Sequence, residues 1–384
     1  MSETALPPAS GHLLSRAAVI ATAMIFGLTY SLSAALIALD LAERGMSEAL
    51  IGANAAMHAV GVLATALVLP RLVGVFGVRG LILSSLVLAA VTMMAFPLMP
   101  LVWLWFPLRF FLGAASESLF VLSETWINSL STEQTRARAM AAYTAALSVG
   151  FALGPLILSI VGTGGMTGYA VGSVLALCAA CFVASPRITA PKFEEPSHAS
   201  PLHYMRIAPI ALSATVLNAA IEAAGLSFLA IYAINLGWPE SDATRLITCM
   251  MVGAIVLQLP IGWLGDTMNR RTLVIALASI GAIGALIWPF ALGSFWASYA
   301  LLFVWGGAFV GIYTIMLTVV GSRFKGGELV GIYAVMGLTW GGGALIGPLA
   351  AGMAMQVFVH GLAYFCAFAL GAFALAVMLL KHET

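Results

Sequence analysis

Charge is scarce in this chain of 384 residues. Sixteen Lys and Arg and fifteen Asp and Glu make up 8% of it, about a third of the share found in soluble domains. So little charge cannot cover the surface of a water-soluble globule, so the chain is expected to live in lipid. The net formal charge is +1, so no basic field exists to gather nucleic acid, and that class of partner is excluded. Cysteine is scarce as well: Cys178, Cys181, Cys249 and Cys366 all fall in apolar runs. The C-x-x-C spacing of the first two lacks nearby His or Cys partners. It reads as apolar filling, with no disulfide, metal or other cofactor expected. No G-x-x-x-x-G-K-[ST] run can cradle nucleotide phosphates. Neither G-x-S-x-G nor H-x-x-E-H occurs, and His58 is the one histidine in the interior of an expected span. A membrane-embedded hydrolase or acyltransferase would therefore lack its nucleophile with base, or its metal set. The first fifteen residues hold no cleavable apolar segment, so the first apolar stretch is expected to remain as an anchor.

Apolar residues fill 62% of the chain, and mean hydropathy is +1.05. A helix needs about 20 apolar residues to cross the hydrocarbon core, and nothing here has the strict alternation of a barrel strand. Apolar stretches bounded by turn or charge signals predict twelve spans, at 17–39, 49–73, 79–98, 101–125, 138–162, 167–185, 207–236, 243–264, 271–292, 295–320, 329–354 and 360–380. Assigned to alternate sides, the loops place thirteen Lys and Arg on the side of the termini, against Arg44 and Arg245 on the other. The positive-inside rule then puts both termini in the cytoplasm. Between the sixth and seventh spans stand Pro186, Pro191, Pro196 and Pro201 with Lys192, Glu194 and Glu195. Proline at that density cannot continue a helix, so the stretch reads as a mobile tether. The expected organisation is an all-α membrane protein with a six-helix bundle over 1–184, a cytoplasmic linker at 185–206 and a second six-helix bundle over 207–384.

One motif appears twice. Gly150-Phe-Ala-Leu-Gly154-Pro155 recurs as Gly343-Ala-Leu-Ile-Gly347-Pro348 in the corresponding place of the second half. Two glycines one turn apart admit a neighbouring helix, and the proline bends its own helix. Repeated halves of a membrane protein point to transport. Gly262-Trp-Leu-Gly-Asp266-Thr-Met-Asn-Arg270-Arg271 lies in the turn between the eighth and ninth spans. Locally, Asp266 suits the N-terminus of the next helix, and the two arginines can pair with it or with lipid headgroups. The spacing resembles a loop signature of the major facilitator superfamily, where it helps lock the two bundles together in one access state. The first-half counterpart, Pro70 to Arg79, has Gly74 where the aspartate would stand. Gly150 to Pro155 resembles the same superfamily's fifth-helix signature, associated chiefly with antiporters, although a copy in both halves weakens that specific inference. Arg109-Phe-Phe-Leu-Gly113 resembles its intramembrane Arg-x-x-x-Gly. Glu124-Thr-Trp126-Ile-Asn128, then Arg136, Arg138 and Tyr143, are similar to the YcaD-like bacterial branch. Read locally, Glu124 could pair with Arg136 or Arg138 across a short loop. The resemblance implies the twelve-helix, two-bundle pseudo-symmetric fold, alternating access, a monomer, and a central cavity lined by the first, fourth, seventh and tenth helices.

Ionisable groups in hydrocarbon need a partner, water or a job. His58, Arg109, Glu117 and Glu222 fall inside expected spans. Arg109 and Glu117 are eight residues apart, about 12 Å of rise and about 80° of rotation on one helix, and cannot pair directly. Glu222 has Asn218 one turn before it on the same face. A carboxylate buried in this way can carry a proton between two sides. The alternative is a protonated acid acting as helix glue. Arg109 would serve as a fixed counter-charge to a carboxylate or a substrate anion, or as a structural ion pair. His58 reads more readily as packing than as a titrating group. Tyr30, Thr29 and Ser33 of the first span, Tyr232 and Asn235 of the seventh, and Tyr313, Thr314 and Thr318 of the tenth supply aromatic and hydroxyl groups suited to an amphipathic solute. The expectation is a secondary transporter of a small amphipathic or cationic organic solute, with Glu222 and Glu117 exchanging protons and export preferred. Proton-coupled uptake and a transport-dead sensor are the alternatives. The expected location is a bacterial inner membrane, with lipids, protons and the solute as partners.

Overall fold

The computed structural model describes residues 9–130, 133–188, 206–324 and 327–380. Twelve helices, with no strand among the described residues, run as α1 Ala9–Glu43, α2 Glu48–Leu98, α3 Trp105–Ser129, α4 Glu133–Val161, α5 Thr167–Val183, α6 Pro209–Asn235, α7 Glu240–Val256, α8 Gln258–Thr267, α9 Arg270–Ala291, α10 Phe295–Arg323, α11 Gly327–Val357 and α12 Gly361–Leu379. Eleven stretches are long and apolar enough to cross a membrane, and Thr167–Val183 is a shorter apolar helix.

Helices and spans do not correspond one to one. The second and third spans form the single helix α2, bent at Gly77, where φ is +68°. The turn expected between them is therefore a kink, which only a residue without Cβ accepts cheaply. The eighth span is instead broken at Leu257 into α7 and α8. Most of the proline-rich stretch at 185–206 lies outside the described residues, as do the side chains of Arg136 and Arg138.

The duplicated motif packs in the same way twice. Gly150 and Gly154 of α4 sit against the backbone of α1 at Met24 and Leu28, while Gly343 and Gly347 of α11 sit against α6 at Val216 and Ala220. A second pair of crossings repeats as well. Gly113 meets the backbone at His58 and Gly61 that at Phe110, whereas Gly306 meets Met250 and Gly253 meets Phe303. These backbone approaches define which residues of the two lobes are equivalent, and they give the fold its pseudo-symmetry.

Helix ends repeat the pattern. Arg79 donates to the carbonyls of Val183, Ala184 and Ser185 at the end of α5, and Arg271 donates to those of Val377 and Met378 at the end of α12. A guanidinium satisfies the orphan carbonyls of a helix C-terminus and complements its dipole. Arg270 donates to the Gly265 carbonyl and to Ser322 Oγ. The expected pairing of either arginine with Asp266 does not form: Asp266 is exposed and makes no ion pair with a described residue. Asn269, rather than Asp266, caps α9, accepting from the Thr272 amide at 3.1 Å.

Candidate functional site: a chamber between the lobes

The two lobes meet through α1 with α6, α2 with α11, and α4 with α7. α2 and α11 run antiparallel: Gly352 lies on the Glu48 carbonyl, Gly52 on the Pro348 carbonyl and Gly341 on the Leu63 side chain. Ala59, Ala219, Ala223 and Ala344 form a seam of small residues that lets the backbones approach. At the face opposite the termini, the Glu240 carboxylate accepts from both the backbone N–H and the hydroxyl of Thr163. That face is closed by contact between lobes. Toward the face of the termini the contact among the described residues thins out. α8 packs on α9 and α10 of its own lobe, Gly337 faces open space, and Tyr333 is 42% exposed.

At mid-depth the seam encloses a cavity with room for about one water molecule. The first lobe contributes Tyr30, His58 and Arg109 to its wall, and the second contributes Ser227, Ala344 and Pro348. Arg109 is 3% exposed. Its Nη1 donates to the Ser33 carbonyl at 3.2 Å, while its Nε has no partner. No carboxylate lies within ion-pair distance of it among the described residues. His58 is 4% exposed with both ring nitrogens unbonded, and its ring lies 5.0 Å from that of Tyr30. One turn before His58, Asn54 also leaves its amide nitrogen unbonded. Pro348 has no N–H, so the Ala344 carbonyl loses its helical donor beside the cavity.

Tyr30 links this cavity to the second lobe. Its ring lies 6.3 Å from that of Trp340, and its hydroxyl feels the charges of both Glu222 and Arg109. Asn218 Nδ2 donates to Glu222 Oε2 at 3.3 Å, while Asn218 Oδ1 has no partner. Glu222 is partly exposed. Tyr313, also partly exposed, lies within electrostatic reach of Glu222 in its own lobe and of Glu124 in the other. Glu117 is partly exposed and forms no hydrogen bond with a described residue. Tyr30 thus lies within electrostatic reach of both Arg109 and the Asn218–Glu222 pair, with Tyr313 and Glu124 within reach of each other.

Other expected members sit elsewhere. Tyr232 does not line the cavity; its hydroxyl bonds His360 Nδ1 at 2.8 Å, at the turn between α11 and α12. The Thr29 and Ser33 hydroxyls are spent on carbonyls of their own helix. Thr314 bonds Gln258 across the break between α7 and α8. Tyr143 bonds Ser123 and the Phe120 carbonyl, tying α4 to α3. All four cysteines are unpaired. Sequence reasoning did not find Ser227, Trp340 or the Thr163–Glu240 contact, and it did not place His58 on a cavity wall. A comparison of the two halves position by position would have marked His58, because its counterpart is Met250.

Comparison with known proteins agrees with this geometry. The Major Facilitator Superfamily profile matches residues 18–239 and 210–384. The chain is 25% identical over 370 residues to the uncharacterized MFS-type transporter YfkF of Bacillus subtilis, covering 94% of each. It is 24% identical over 350 residues to the uncharacterized MFS-type transporter YcaD of Escherichia coli, covering 90% of each. Among solved structures, the nucleoside transporter NupG superposes with a TM-score of 0.77 at 11% identity, over 97% of this chain and 100% of that one. A D-xylose-proton symporter superposes at 0.75 and 15% identity, over 97% and 98%. These likenesses establish the fold. With eleven membrane-length stretches and one shorter apolar helix in two pseudo-symmetric bundles among the described residues, and a family profile covering almost the whole length, this chain belongs to the major facilitator superfamily of multi-pass membrane transporters.

Proposed function

We propose that this protein is a secondary transporter that moves a small amphipathic organic solute by alternating access, coupled to protons and running in the direction of export. The observation that carries the reading is the mid-depth chamber, walled by both lobes and closed on one face by contacts between them. Rocking one lobe against the other would break the Thr163–Glu240 and α2–α11 contacts and seal the open end. Tyr30, Tyr313 and Trp340 offer aromatic faces to an amphipathic body.

Glu222 is the group proposed to carry the proton, with Glu117 as a second site. Protonation removes a charge from the low-dielectric interior, so it biases the exchange between states that expose the carboxylate to different sides. Asp266, Arg270 and Arg271 are proposed to gate the open end, where an unpaired Asp266 is available to meet the other lobe when that end closes. Glu124, Arg136 and Arg138 are assigned to the same gate. The Gly150–Pro155 and Gly343–Pro348 segments are the bends about which the lobes flex. The loop charges favour cytoplasmic termini in a bacterial inner membrane. Export rests on the fifth-helix signature.

Two measurements test the reading. A thermal-stability screen of the purified protein against compound libraries, at acid and at alkaline pH, identifies a solute. Counterflow of that solute in proteoliposomes then reports transport, and an imposed pH gradient gives its direction. Acceleration by a proton gradient opposed to solute movement is expected. Acceleration by a parallel gradient would make it a symporter, and counterflow absent for every stabilising compound would remove the transport reading.

A further inference from the structure

The cavity at Arg109 has a chemistry of its own. Its first-lobe wall presents a guanidinium, which can only donate hydrogen bonds, and an imidazole with both nitrogens unbonded. The Tyr30 hydroxyl on the same wall and the Ser227 hydroxyl on the opposite one form no hydrogen bond with a described residue. A buried cation without a counter-ion is costly in low dielectric, and the neighbouring imidazole offers no negative charge to offset it. Glu222 does not fill the role: it lies beyond ion-pair distance from Arg109, and Asn218 already donates to it. The space available is about one water molecule in size, too small for a whole organic solute and large enough for one anionic centre.

We propose that the Arg109–His58 chamber is a binding site for a monovalent anionic group, held between the two lobes by Arg109, His58, Tyr30 and Ser227. That group is a free halide or the carboxylate head of the transported solute, and the two share the same recognition chemistry. Because the wall comes from both lobes, the bound anion favours the state in which the lobes are in contact at this depth. The inference deepens the transport reading by naming what the solute carries or travels with. Binding is measured without transport, so each can fail independently.

The test uses the full-length protein in detergent, at constant ionic strength and pH. Melting temperature and intrinsic tryptophan fluorescence are titrated with chloride, bromide, acetate and benzoate, against sulfate and gluconate as anions of the wrong charge or size. The expected result is a saturable stabilisation by at least one of the small monovalent anions, weakened in His58→Gln and lost in Arg109→Gln. Saturation by halide alone assigns a resident inorganic ion; saturation by carboxylates assigns the solute's head group. Should Arg109→Gln fail to fold, Ser227→Val decides the matter, since it narrows the site from the opposite lobe and leaves the guanidinium in place: loss of the anion response supports the site. An unsaturable response, or one equal for sulfate and gluconate, or one unchanged in both Arg109→Gln and Ser227→Val, overturns the proposal.

Discussion

At Gly113 and at Gly306 the two lobes make the same backbone crossing, yet four residues earlier one lobe carries Arg109 and the other Leu302. The contrast continues along the chamber. His58 has Met250 as its counterpart, and Glu117 has Val310. Glu222 of the second lobe stands where the first has Tyr30, two residues beyond the equivalent contacts at Leu28 and Ala220. Backbone contacts are present in duplicate while the polar side chains at equivalent positions differ, with Arg109, His58, Tyr30 and Glu117 in the first lobe and Glu222 with Asn218 in the second. The difference has a physical reason. Helix crossings depend on small residues and main-chain shape, which both halves need, whereas a buried charge is costly and is retained only where the chamber gives it something to do.

The largest effect should come from erasing that division. Leu302 is 1% exposed and has no acceptor prepared for a guanidinium, so Leu302→Arg is expected to cost about 3–5 kcal/mol and to abolish the monodisperse peak in fluorescence-detected size exclusion. A well-folded variant would break the contrast with Arg109.

Next comes Glu222→Gln, which keeps the shape of the side chain and removes its proton chemistry. Its gradient-driven transport should fall about 100-fold or more, with solute counterflow retained; an unaltered pH-gradient response would move the proton site off the second lobe. The backbone contacts give a smaller and matched pair of effects. Gly154→Val and Gly347→Val each force a side chain into a neighbouring helix and should lower stability by about 1–3 kcal/mol. Unequal melting-temperature losses would show that the two crossings have ceased to be equivalent. The smallest effect is expected at Glu240→Gln, which exchanges a charged acceptor for a neutral one at the closed face. Cysteine labelling from that face should rise roughly tenfold, the equivalent of about 1.4 kcal/mol.

Much of the fold was legible because hydrocarbon imposes a simple rule on sequence. Eleven of the expected spans, the shorter apolar helix at Thr167–Val183 and the duplicated glycine motif could be read from apolar run length and spacing. The junctions were less legible. Nothing in the run around Gly77 distinguishes a turn from a kinked continuous helix, because glycine serves both, and the break at Leu257 carries no Gly or Pro at that residue. The site was partly legible. Arg109, Glu117 and Glu222 stood out because charge is rare, and Asn218 followed from helical spacing. Tyr232 was misplaced, since a tyrosine on a cavity helix also serves to hold a turn, here through His360. The place of His58 on the cavity wall was not legible, because no spacing rule reports an unbonded nitrogen.

The sequence alone was sufficient to show that this is a duplicated membrane protein with a few buried charges, because the bilayer demands apolar helices and makes every exception conspicuous. Tertiary structure decided which of those charges lines the cavity, which face is closed, and that Arg109 has no counter-ion among the described residues. These are properties of side chains brought together from α1, α2, α3, α6 and α11, and their energies depend on distances that no linear spacing contains.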